Sequence, residues 1–460
     1  MEGVFDGNCV VVRLQKGYFL EKEMGMLSKW CKYLFSLIMV LYGTYAVDMP
    51  HGTFAREAKQ TEEISGSDSD YLQWQLKQME ESMQMQQEQI QALKNRIGEI
   101  KPEAYAGSDA VPAVNKEYDK IANSLKGFKL GGLWYLSYQN GETGNNTGGA
   151  NYNAVNVKRG YLTVEKEFYS WFSARITSDV TTVKDATSNL DGSLALRLKY
   201  LYAQFKAPDM WFLTKPNVEV GMVHSTWLDF EEKLNYYRMQ DTMFVERNGI
   251  FNSADLGVMF TTLLGGLVDE KYQQEVNSAY PGRYGSIQAG IYNGGGYAAR
   301  ENNQNKVFSE RITIRPLPDL LPGFQITDFE LIGKGNTKSE PDWNANIAMA
   351  SFEHKYFVLT GTYFSGVGNQ QGSDENDKRG YSFFTELKPH KKFSVIGRFD
   401  HFNPNTEVTD SENNRYIAGV AYHIDRVHNN MILLDYDTVD YAQSGKSDDK
   451  RVQLTWQVAF

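Results

Sequence analysis

"RVQLTWQVAF", residues 451–460, alternates with a period of two. Val452, Leu454, Trp456, Val458 and Phe460 are apolar, whereas Arg451, Gln453, Thr455 and Gln457 are polar. Such alternation describes a strand with one face in an apolar medium and the other in water. The remainder of the chain decides whether that medium is a protein core or a lipid bilayer.

The chain has 460 residues and a net charge of −10, with a mean hydropathy of −0.49. The negative charge argues against a nucleic-acid partner. Aromatic residues make up 13%, with 28 Tyr and 25 Phe, which suits a membrane barrel with aromatic girdles and a wet lumen. The one strongly apolar run, "YLFSLIMVLYGTYA" from Tyr33 to Ala46, is shorter than the roughly 20 residues a spanning helix needs. Lys29 and Lys32 precede it and small residues end it, the pattern of a secretory signal peptide. A start at Met24 or Met26 gives that signal its basic leader. Residues 1–46 are therefore read as an upstream extension plus signal. Both cysteines, Cys9 and Cys31, fall before the expected cut. An exported chain of this kind has no thiolate for disulfides or metals. No cofactor and no metal site is expected.

After a polar linker (47–69), residues 70–101 carry apolar positions in steps of three and four. These are Leu72, Leu76, Met79, Met83, Ile90, Leu93, Ile97 and Ile100, with Gln86 interrupting the seam and Pro102 ending it. The spacing predicts a coiled coil. A second linker spans 102–126.

From 127 to 460 the texture changes to alternating segments of about ten residues, sixteen in all, an even number as bacterial barrels require. Their connections alternate in length. Long polar ones such as "QNGETGNNTGGANYN" and "VGNQQGSDEND" follow odd segments, and tight ones such as "EHK" and "KPHKK" follow even segments. Outer-membrane barrels show this asymmetry, with long loops outside and short periplasmic turns. The fold expected is thus all-β and transmembrane, a 16-stranded antiparallel outer-membrane β-barrel preceded by a periplasmic helical coiled coil. One connection, 264–283, is expected on the periplasmic side and is too long for a turn; an extra helical turn or a missed hairpin would account for it.

Lipid on one face of each strand forces charges to the other, because an Arg or Lys on the lipid face near the midplane costs about 2–4 kcal/mol. Phe172, Ala174 and Ile176 would face outward, as would Leu196, Leu198 and Tyr200. The basic residues left for the lumen are Arg175, Arg197, Lys199, Arg311, Arg315, Arg398 and Arg451. The acidic ones are Asp179, Asp400, Asp435 and Asp437. A wall of bases in water concentrates anions.

The longest outer loop, 226–253, is unlike the others. Its sequence "TWLDFEEKLNYYRMQDTMFVERNGIFNS" holds Trp227, Phe230, Leu234, Tyr236, Tyr237, Met243, Phe244 and Phe251. A loop facing only water has no use for that many large apolar groups. It is expected to fold inward onto the barrel wall and to constrict the channel. Its charges are Asp229, Glu231, Glu232, Asp241 and Glu246 against Lys233, Arg238 and Arg247.

The coiled coil, the sixteen segments, "VEVGMVHSTWLDFEEKLNYYRMQDTMFVERNG" (218–249), "NSADLGV" (252–258), "IYNGGG" (291–296) and the terminal Phe460 together resemble the phosphate-selective porin O and P family. The resemblance implies a homotrimeric outer-membrane channel whose third loop forms the constriction, with basic residues passing anions along the pore. Members present arginines and lysines at that loop, whereas here acids outnumber bases, which points to a general or weakly selective channel. The partners expected are other copies of the chain, outer-membrane lipid and lipopolysaccharide, small anions or solutes, and a periplasmic or cell-wall partner for the coiled coil. An enzyme is not expected. There is no G-x-S-x-G, and the seven histidines show no ligand spacing. The competing reading is a plugged barrel serving as an anchor for the coiled coil.

Overall fold

The computed structural model describes residues 126–144, 150–183, 187–426 and 429–460. The signal peptide, both linkers up to residue 125 and the coiled coil expected over 70–101 lie outside the described residues.

Sixteen antiparallel strands form one closed barrel. They are β1 (Phe128–Thr143), β2 (Ala150–Tyr169), β3 (Phe172–Thr182) and β4 (Leu194–Lys206). Next come β5 (Leu213–His224), β6 (Ala254–Leu264), β7 (Gly285–Tyr292) and β8 (Val307–Ile314). The second half holds β9 (Phe324–Lys334), β10 (Asp342–His354), β11 (Phe357–Val367) and β12 (Asp377–His390). The last four are β13 (Phe393–Asn403), β14 (Asn413–Asp425), β15 (Asn430–Tyr441) and β16 (Asp449–Ala459). All sixteen overlap the segments read from the sequence, although β1 and β2 run several residues further toward the loop between them and β3 starts only at Phe172.

Closure falls to the stretch 451–460. β16 pairs with β1 in register Trp134↔Val458, Leu136↔Trp456 and Tyr138↔Leu454. The N–H groups of Gly132 and Phe460 each donate to the other's carbonyl, at 3.0 and 3.1 Å. With every strand paired on both sides no edge remains, the condition for a sheet to sit in hydrocarbon. The outward residues Val452, Leu454, Trp456 and Phe460 are exposed, while Gln453, Thr455 and Gln457 are fully buried inside. Aromatic clusters ring both ends of the outer wall. Phe172 stacks on Phe205 at 5.2 Å near one mouth, and Phe399 lies 5.0 Å from Tyr416 near the other.

Connections after even strands are short, as in 355–356 and 391–392, and this end is the turn side; the opposite end is the loop side. The long turn-side connection 265–284 contains a helix (Glu270–Glu275) above an antiparallel bridge, Leu267↔Gly282, so a turn of helix and a short ladder together account for its length.

Two departures from simple alternation matter inside the barrel. Tyr200, expected outward, is buried on the inner face. Between β3 and β4 the register jumps from Thr177↔Tyr200 to Ser178↔Leu198, so Lys199 is an extra residue. That bulge reverses the phase of the strand beyond it, and both Lys199 and Tyr200 turn inward. In β10 the apolar stripe Trp343, Ala345, Ile347 and Met349 faces the interior and is buried.

At Gly221 of β5, φ is +131° and a Cβ would lie 2.3 Å from the Leu201 carbonyl oxygen of β4. Gly221→Ala should therefore destabilise the barrel by about 1–3 kcal/mol. The temperature at which the folded band is lost on heated SDS gels is expected to fall; an unchanged temperature would contradict the assigned backbone.

Candidate functional site

Loop 225–253 enters from the loop side and folds into the lumen, carrying helices α1 (Leu228–Leu234) and α2 (Phe244–Arg247). One apolar cluster explains its position. Trp227, Leu228, Phe230, Leu234, Phe244 and Phe251 pack on inward residues of β8–β13, including Phe329, Trp343, Ile347, Met349 and Phe402. The inner wall of those strands is apolar because the loop covers it. Burying each such side chain contributes roughly 1.5–3 kcal/mol.

Polar ties then fix the loop along its length. Lys158 of β2 donates to the carbonyls of Met239 (2.7 Å) and Gln240 (3.1 Å). Tyr236 and Tyr237 both donate to Glu386, at 2.8 and 2.7 Å. Arg398 donates to the Thr242 carbonyl at 3.0 Å. Arg247 pairs with Asp400, which also holds Arg398 at 3.0 Å. Asp241 pairs with Arg415, which in turn grips Asp437 at 2.6 Å, and Arg451 pairs with Asp437 too. Asp435 accepts from Gln453 at 2.7 Å.

The charges that parity assigns to the lumen thus separate into two groups. Arg398, Arg451, Asp400, Asp435 and Asp437 face inward but are joined to the loop or to one another beneath it. Arg311 is 0% exposed, held by Gln288 and by the carbonyl of Thr226, with the Phe230 ring 4.2 Å away. Arg315 is buried near the turn side, donating to the Pro322 carbonyl at 2.6 Å. The second group borders open space on β2–β4. Arg197 bridges to buried Asp179 at 2.7 Å, as does Arg159 at 3.2 Å. Arg175 lies over Tyr200, and Lys199 donates to the Tyr161 hydroxyl at 3.1 Å.

The loop's acids are similarly committed. Glu246 and Glu232 flank Arg238 at 2.6 and 2.7 Å. Glu231 accepts from the Trp227 indole at 2.6 Å. Asp229 accepts from Tyr280 and from Gln288 (3.2 Å).

Two open spaces remain beside the loop. A cavity of about 1180 Å³ at the turn side is bounded by Lys233, Arg238, Lys355, Lys388, Lys391 and Arg426, with Glu232 and Glu275 the carboxylates among the described residues that line it. A second space of about 490 Å³ runs between the loop and β1–β5, past Arg175, Lys199, Glu219 and Asp229. Leu133, Tyr135, Glu232, Lys233 and Arg238 border both. Lys355, Lys388, Lys391 and Arg426 were not singled out from the sequence; their signal was present in "EHK" and "KPHKK", read only as turns. Among the described residues no group of His, Cys, Asp and Glu is placed to hold a metal ion.

The fold is that of solved outer-membrane porins. OmpF of Salmonella typhi, solved with daunomycin, is 13% identical with a TM-score of 0.50, the match covering 72% of this chain and 97% of that one. An anion-selective porin from Comamonas acidovorans is 10% identical (TM-score 0.49; 72% and 99% covered). The outer-membrane channel DcaP of Acinetobacter baumannii is 10% identical (TM-score 0.47; 72% and 97% covered). At such identities the likeness is one of fold. No family model and no curated protein matches the chain.

Burial pushes the Glu231 carboxyl up to about 7, against the opposing pull of Arg398 and the Trp227 indole. A carboxyl raised in the folded state contributes stability that is complete at acid pH and lost as pH rises through its folded value. Glu231→Gln should therefore raise the unfolding temperature relative to the parent at pH 8 and leave it unchanged at pH 4. A parent and variant with parallel pH profiles would refute this placement of Glu231.

Proposed function

We propose that the chain is an outer-membrane porin, a channel for passive diffusion of small hydrophilic solutes and ions with a preference for anions. The carrying observation is the charge left along the passage. Among the described residues eight bases border it against four carboxylates, although the loop as a sequence is acidic. Lysines and arginines around a water path with low-dielectric walls raise the local anion concentration. The continuity of the two spaces at Glu232, Lys233 and Arg238 favours a conducting barrel over a plugged anchor. In this reading the wall β2–β4 supplies Arg175 and Lys199, the loop supplies Lys233 and Arg238, and the turn-side rim supplies the remainder.

The signal-like leader supports export, and the outward apolar band with its two aromatic girdles supports the outer membrane as the site of action. Assembly as a homotrimer, contact with lipopolysaccharide, a weak preference for phosphate-like anions and a periplasmic partner for residues 70–101 belong to the same proposal.

Full-length protein in planar bilayers across a KCl gradient should give stepwise currents whose reversal potential reports anion preference. Lys233→Glu combined with Lys355→Glu should move that potential toward cation preference, more strongly at low salt, where screening is weaker. A parent without stepwise current, or one that already prefers potassium, would overturn the proposal.

A further inference from the structure

The turn-side connection 265–284 is twenty residues long where its neighbours 207–212 and 315–323 have six and nine. Ordering each additional residue costs about 1–2 kcal/mol of conformational entropy, so its contacts must return that. They converge on the deepest part of the constriction loop, which enters from the opposite mouth. The Asn277 amide donates to the Lys233 carbonyl at 3.0 Å and to Glu353 at 2.6 Å. The Tyr280 hydroxyl donates to Asp229 and accepts from Gln288 at 2.7 Å. The Tyr280 ring meets Phe230 edge-on at 5.3 Å and lies 4.9 Å from the Arg311 guanidinium. Tyr280 holds this position with φ at +47°, left-handed backbone that a tyrosine adopts only under constraint.

We infer that segment 265–284 is a clasp that sets the width of the passage, with Asn277 and Tyr280 as its positioning residues. Residues 236–247 of the loop are tied to β2 and β12–β14, so any freedom left to the loop lies at α1. The clasp removes that freedom where the loop borders both open spaces. Asn277 itself lines the larger space beside Lys233, so clasp and loop form one rim. Loss of the two side-chain ties leaves α1 held by the packing of Leu228, Phe230 and Leu234, by Gln288 on Asp229 and by the Glu232–Arg238 pair, and lets Lys233 shift toward the path. This inference rests on the channel reading for its electrical consequence and on the geometry alone for the loop's accessibility.

The test uses full-length protein with Tyr280→Phe, which keeps the ring, and with Tyr280→Phe plus Asn277→Ala. Single-channel recordings should show current variance rising several-fold in the double variant and by less in the single one. Trypsin cleavage after Lys233 in the folded barrel should accelerate in the same order. Lys271→Ala, at a side chain 77% exposed on the helix of the same segment, should match the parent in both readouts. Parent-like variance and cleavage in the double variant would overturn the clasp, and so would equal effects from Lys271→Ala. If the parent carries no current but cleavage still accelerates in the double variant, the clasp stands and the channel reading falls.

Discussion

A backbone amide in hydrocarbon has no water to bond, and the rest of this structure depends on that fact. The sheet answers it by closing on itself, with β16 returning to β1 so that each strand has two partners. Closure divides every strand into a lipid face and a lumen face. Charges are thereby driven inward in excess of what a channel wall alone would hold. The interior then needs partners for them, and the loop between β5 and β6 supplies many.

That loop has two kinds of attachment with different roles. Apolar packing against β8–β13 decides which wall it lies on, since Trp227, Phe230 and Phe244 find a matching surface only there. Ion pairs and hydrogen bonds to β2 and β12–β16 then fix its path. The division explains why acidic residues in the loop do not make the passage acidic. Asp241 and Glu246 each meet a guanidinium, whereas Lys233 remains on the open side.

Much of the barrel was legible in the sequence because alternation and loop length are local signals. The inward placement of Arg311, Asp400 and Asp437 followed from parity, as did the outward placement of Trp456. Tyr200 was misread because one extra residue, Lys199, reverses parity without altering composition. The apolar inner stripe of β10 resembles a lipid-facing one, and only the loop lying over it tells the two apart. The charge balance of the loop misled for a related reason. Asp241 and Arg415 are 174 positions apart, and no spacing rule connects them. The wide interval 265–284 was visible as an anomaly, but its contacts with Asp229 and Lys233 were not.

The position of the loop on one wall separates two tasks that share one lumen. The half of the inner wall under the loop is committed to holding it, and a change there disturbs packing before it alters permeation. The half formed by β1–β5 borders the smaller of the two open spaces and bears little of the loop's apolar core. Mutational drift can therefore recode residues such as Arg175 or Glu219 while the load falls on the opposite side. A barrel arranged in this way can change the lining of one sector of its wall and keep its stability in the other.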